Sequence, residues 1–158
     1  MKPELLKPAH PITENELSAV ESELGVSLSI DYRNFILVHN GGRPVPCVFD
    51  IEWPENHQLS EIWKTSEVSR FLSIYSEEKA NFVKYNKVNF IGRIPKSTIA
   101  IAYDPGGNLI LLGVVGEYVG KVLFWVKDYE VEEGEIPNFG NVGIIATNFD
   151  GFLNSKIH

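Results

Sequence analysis

One stretch constrains the fold more than any other: Leu24 to Pro44, LGVSLSIDYRNFILVHNGGRP. Tyr32, Phe35, Ile36 and His39 recur at i, i+3, i+4 and i+7, so they share one face of a helix. His39 is expected to finish that buried face with one ring nitrogen hydrogen-bonded. Asp31 falls in the first turn, where a negative charge suits the positive end of the macrodipole. Gly41 and Gly42 follow the last periodic residue and supply the left-handed conformation that ends helices, and Pro44 prevents resumption. A helix with one apolar side and an abrupt stop is a piece on which neighbouring elements pack.

The residues before it predict a second helix. Thr13 and Glu16 have the spacing of a capping box, with Ile12 and Leu17 at the staple positions. Leu17, Val20 and Leu24 line one face, and Gly25 ends the helix, so the two helices form an N-terminal hairpin. Residues 1–11, polar and marked by prolines, read as a mobile lead-in, and Met1–His10 lacks the apolar core of a signal peptide.

Beyond Pro46 the period changes. Val48–Trp53 alternates Val48, Asp50 and Glu52 against Phe49, Ile51 and Trp53, the mark of a half-buried strand that Pro54 closes. Ile62 and Trp63 are further strand candidates, and Phe71–Tyr75 is a short apolar strand. Ser76 is placed to cap a helix from Glu77, with Ala80, Phe82 and Val83 inward. Three strands are expected at Thr98–Tyr103, Leu109–Val114 and Lys121–Lys127. The turns between them are Asp104–Asn108, with Gly106 or Gly107 at positive φ, and Gly116–Gly120. Connections this short make the strands antiparallel, in a sheet expected to be covered on one side and partly exposed on the other. Asn141 is expected to cap a closing helix with Ile145, Phe149, Phe152 and Leu153 inward. The fold class is therefore α+β, a single domain over 1–158: an antiparallel sheet with the helical hairpin and a C-terminal helix packed on it.

Four pieces, taken together, resemble the SUKH superfamily, the Smi/Knr-type domains used widely as bacterial immunity proteins. They are the capped helix ending in Leu24-Gly25; Asp31-Tyr32-Arg33 through Phe35 to His39-Asn40-Gly41-Gly42; Phe71-Leu72-Ser73-Ile74; and Asp104-Pro105-Gly106-Gly107-Asn108-Leu109-Ile110 with Gly120-Lys121-Val122 and Phe124-Trp125. They occur in family order and span Ile12 to Leu153. This chain departs from the family pattern at Ser29 or Ile30, where a proline is usual, at Gly113, where aspartate is frequent, and at Val126-Lys127-Asp128. The resemblance implies a domain that binds and neutralises a toxin, often a nuclease. The alternative it leaves open is a regulatory or scaffold domain that binds a peptide or small molecule.

The residues themselves favour binding over chemistry. His10, His39, His57 and His158 stand outside metal-pair spacing of one another and of Cys47, so no metal or other cofactor is expected. Asp104–Asn108 lacks the Gly-Lys-Ser/Thr ending of a phosphate loop and precedes a strand. Asp50, Glu52 and Glu55 are two-carboxylate candidates for acid–base work, but alternation puts the first two on a solvated strand face. No nucleophile motif is present and no enzyme is expected. The lone Cys47 cannot pair within the chain, which suits the cytoplasm, and no run of eighteen apolar residues suggests a membrane span. A net charge of −7 disfavours direct nucleic-acid binding and suits a basic protein partner. The partner-contact candidates are two acidic stretches: Asp50, Glu52 and Glu55 with Trp53, and Asp128, Glu130, Glu132, Glu133 and Glu135.

Overall fold

A computed structural model describes residues 2–75, 77 and 79–158. The expected lead-in is built into the sheet system. Strand β1 (Glu4–Leu6) pairs antiparallel with β2 (Arg43–Val45), a partner that local patterning could not reveal. The hairpin follows as expected. Helix α1 (Glu14–Leu24) starts at the Thr13–Glu16 capping box, with both reciprocal bonds made, and Gly25 closes it at φ 68°. Helix α2 (Ile30–Val38) buries Tyr32, Phe35 and Ile36. Arg33 reaches back to Glu14 and to Glu21, which also accepts the Leu28 amide at 2.8 Å, so one carboxylate holds both helices and their connection.

The face of α2 ends sooner than its period suggests. His39 leaves helical geometry (φ −123°, ψ 88°), and the residue is exposed rather than buried, its ring 5.7 Å from that of Phe35. Asp31 does more than meet a dipole. Its Oδ2 accepts the amides of Phe149 (3.0 Å) and Asp150 (3.1 Å) at the start of the C-terminal helix, while Oδ1 accepts its neighbour Tyr32.

Strands β3 (Val48–Asp50) and β4 (Thr65–Glu67) pair antiparallel. Ile62 and Trp63 lie in the turn before β4 rather than on a strand. Then come β5 (Arg70–Phe71), the short helix α3 (Phe82–Lys84) continued by a π-turn over Tyr85–Asn89, β6 (Thr98–Tyr103), β7 (Leu109–Gly113) and β8 (Val122–Trp125). The Asn81 side chain caps α3 by accepting the Lys84 amide. This helix starts five residues later than Glu77, and the expected cap Ser76 lies outside the described residues.

The closing helix expected from Asn141 is instead a strand, β9 (Val142–Ala146), paired with β8 along its length. Val142 to Ala146 is a short run too apolar to show a period, and β8 offered it an open edge. Helix α4 (Phe149–Gly151), continued by a π-turn over Phe152–Lys156, begins later, capped by Asn148 and by Asp31. Its Phe149, Phe152 and Leu153 are buried as expected.

The central sheet runs β5-β6-β7-β8-β9, all antiparallel. Single bridges, Gly42 to Phe71 and Glu52 to Ile144, attach β1–β2 and β3–β4 to its two edges. Both faces are covered, not one. Phe124 packs on Phe49 and Trp63 with ring centroids 5.8 and 5.5 Å apart, while Trp125, pointing the other way, meets Phe90 at 5.8 Å. Gly113 has a steric reason. A Cβ there would stand 1.9 Å from the Tyr118 carbonyl oxygen, because the β7–β8 connection folds back over it.

Candidate functional site

The residues that carry the resemblance are tied into the fold. Asn40 is 1% exposed. Its Nδ2 donates to the carbonyls of His10 and Ile74, its Oδ1 accepts the Ile74 amide, all at 2.8 Å, and its own carbonyl accepts from Ser73 Oγ and the Ala9 amide. It pins three strands of chain to one point. Gly41 (φ 83°) must lack a side chain, since a Cβ would meet Ser73 Oγ at 1.9 Å. At the other turn the buried Asp104 carboxylate accepts the amides of Gly106 and Asn108, the Asn108 side chain and Ser66 Oγ. Asn108 Oδ1 then accepts the Lys127 amide at 2.9 Å. Gly107 takes the positive φ (83°). This loop is a satisfied structural turn, with its amide donors spent on Asp104.

The histidines are dispersed. His57 bridges the turn after Pro54 to Gly140 (Nε2 to carbonyl, 2.9 Å) and stacks 4.7 Å from Trp53. Among the described residues, no group of three or more His, Cys, Asp or Glu stands close enough to hold a metal ion.

The two acidic stretches sit differently. Asp50 and Glu52 are exposed. The Asp50 carboxylate stands 3.5 Å from His158 Nε2, and the Glu52 backbone pairs with Ile144 in both directions. Trp53 is turned partly inward. Its indole N–H donates to the Trp63 carbonyl at 2.7 Å, and its ring lies over Gly143. Glu55 is exposed in the following turn. In the second stretch Asp128, Glu132, Glu133 and Glu135 are exposed, while Glu130 is half-buried and forms a two-pronged pair with Arg93 (3.1 and 3.0 Å). The His57–Gly140 bond joins the turn after the first stretch to the segment that follows the second, and a pocket of about 270 Å³ beside the first stretch is lined by Glu52, Trp53, Pro54 and Phe139.

Sequence reasoning missed the company the second stretch keeps. Arg93 and Lys96 border it, and so do the exposed apolar side chains Ile91 and Ile136. Isolated apolar residues in turns show no period, so the sequence carried no signal for them. Among the described residues, no helix is long and apolar enough to cross a membrane.

Comparison with known proteins agrees with the fold. No curated protein and no solved structure matched the chain. The model of the SMI1 / KNR4 family (SUKH-1) does match, over residues 11–155, which begins just before the capping box and ends within the C-terminal helical segment. With nearly all of its length inside that match, the chain belongs to the SMI1 / KNR4 family (SUKH-1).

Proposed function

We propose that this protein is an immunity protein: it binds a toxin domain, of the nuclease class, in the cytoplasm and suppresses it without catalysis. Membership of the family carries the reading. The surface chemistry supports it. A nuclease needs a positive surface for its phosphate substrate, and an acidic inhibitor is drawn to that surface. With a net charge of −7, this chain displays exposed carboxylates at Asp50, Glu52 and Glu55 and at Asp128, Glu132, Glu133 and Glu135. Those two stretches are the proposed contact surfaces. Attraction between surface charges reaches about a Debye length, ~8 Å at physiological salt, so it speeds association more than it deepens affinity.

The test is co-expression with the product of the adjacent gene carrying a toxin domain, the partner this reading requires, followed by stopped-flow association of the purified pair at low and high salt. The expected result is protection of the cells and an association rate that falls steeply as salt rises. Unprotected cells would sink the immunity reading. Protection with a rate indifferent to salt would sink its electrostatic part.

A further inference from the structure

We propose that the groove between α1 and the acidic loop is a docking site for a basic protein segment that inserts one apolar side chain. The proposal rests on the toxin-binding reading only for the source of that segment. The groove has an apolar end and a charged end. At the apolar end a pocket of about 390 Å³ is lined by Leu24, Val26, Phe90, Ile91, Ile94 and Ile99, and among the described residues Lys96 is its one charged group. That is room enough for a large aliphatic or aromatic side chain. At the charged end a hollow of about 690 Å³ shares Ile91, Gly92 and Lys96 with the first. Its far wall is the loop Glu130–Pro137.

Two observations point to an occupant. The first is uncovered apolar surface on both sides: Ile91 is 67% and Ile136 83% exposed. Apolar side chains gathered beside a pocket mark interaction sites more often than scattered ones do. The second is the charge balance. Arg93 lies over the Phe90 ring at 4.6 Å and gives both prongs to Glu130, so its charge is spent holding the pocket wall to the loop. Lys96 lines the same hollow as Glu132, Glu133 and Glu135, all three exposed. The excess is negative, and it lies next to the apolar pocket. The complementary partner has lysines or arginines flanking an aliphatic or aromatic anchor: the anchor, desolvated in the pocket, supplies affinity, and the flanking charges supply rate and register. A second copy of this chain is a poor occupant, since a two-fold interface would set one acidic loop against another.

The experiment is an NMR titration of the isotope-labelled full chain with three capped hexapeptides. The first carries Leu-Phe between pairs of lysines, the second Leu-Phe between pairs of glutamates, and the third Ser-Gly between pairs of lysines. Only the first is expected to shift resonances of Ile91, Gly92, Lys96 and residues 132–136. Its affinity should fall at least tenfold in Ile91→Asp and in the triple variant Glu132→Lys, Glu133→Lys, Glu135→Lys. Both changes fall on exposed side chains, so both proteins should stay folded, with unshifted resonances elsewhere confirming it. Equal binding of all three peptides, shifts confined to another surface, or variants that bind like the parent would overturn the proposal. So would a concentration-dependent dimer that Ile91→Asp dissociates, because the groove would then be filled by a second copy. Cell protection by the wild-type chain is scored separately: its failure tells against the toxin reading, whereas the peptide result decides the groove.

Discussion

Asn40 ties segments far apart in the sequence through one buried side chain, and replacing it gives a sharp test. Its amide donates to His10 and Ile74 and accepts from Ile74, and only one orientation of the amide pairs donors with acceptors. Asn40→Ala removes three bonds worth about 1 kcal/mol each net and leaves buried carbonyls facing a hole, so the expected loss is about 3–4 kcal/mol. Against a typical total of roughly 5–15 kcal/mol that is a large fraction. With a urea slope of about 2 kcal/mol/M, the midpoint should drop by about 1.5–2 M. Asn40→Asp isolates the electrostatics. The shape is kept and so is the Ile74 amide bond, but the carboxylate now faces two carbonyls without a donor. The expected cost at neutral pH is on the order of 4 kcal/mol, that of an uncompensated buried charge. Burial and the carbonyls raise the folded-state pKa of the new carboxyl above its unfolded value of about 3.9. The folded protein then holds the proton at pH values where the unfolded chain has released it. The penalty relative to wild type is therefore smallest near pH 4, grows as pH rises through the folded pKa, and is complete above it. Urea melts of wild type and variant, followed by tryptophan fluorescence between pH 4 and 8, read this directly. A variant within 0.5 kcal/mol of wild type at pH 7, or a penalty flat with pH, would refute the account of Asn40 as a buried, fully used amide.

Phe35→Ala should cost about 3–5 kcal/mol, because the ring packs 5.0 Å from Phe71 and 4.9 Å from Phe149 and its loss leaves a cavity between α2, β5 and α4. A variant as stable as the parent in urea would count against that packing. Gly107→Val should lower stability by about 1–3 kcal/mol through backbone strain at φ 83°, since the nearest atom to a Cβ, Lys127 Nζ, is a comfortable 3.6 Å away. Partner affinity should be unchanged; lost binding at an unaltered melting temperature would make the turn functional. Asp50→Lys combined with Glu52→Lys should leave stability within about 0.5 kcal/mol, because both side chains are exposed, yet slow association with a basic toxin. A rate untouched by the double reversal would remove that stretch from the contact surface.

What was legible in the sequence was what a few consecutive residues decide. The Thr13–Glu16 box is closed within one turn of chain, and the β6–β7 turn declares itself through Asp104 to Asn108. What was illegible depended on partners distant in sequence. Glu4–Leu6 looks like a tail until Arg43–Val45 is alongside. Val142–Ala146 looks as much like a helix as a strand until β8 supplies its ladder, and cover on both faces of the sheet removed the alternation that would have decided it. Asp31 reads as a dipole partner of its own helix, whereas it caps another helix at the far end of the chain. At the candidate surface, charge was legible because it is a property of residues taken singly. The pocket beside the acidic loop was not, because it forms where Leu24 and Val26 meet Phe90, Ile91 and Ile94.

The division of labour has a consequence for partner choice. Asn40, Gly41, Asp104, Gly107 and Asn108 are among the residues that make the chain recognisable as a family member, and each is occupied by an internal bond or a steric necessity. A residue whose donors and acceptors are already satisfied inside the protein has little left to offer a partner. Recognition then falls to positions the fold leaves free, and the acidic loop 128–136 where it passes Ile91 and Lys96 is one place that offers several together. That loop is fixed to the body by the Glu130–Arg93 pair near one end and by the His57–Gly140 bond just beyond the other. Its exposed members, Glu132, Glu133, Glu135 and Ile136, can therefore change without disturbing the core. A scaffold built this way can keep one fold while exchanging partners, because the side chains that specify the fold and those open to a partner are different side chains.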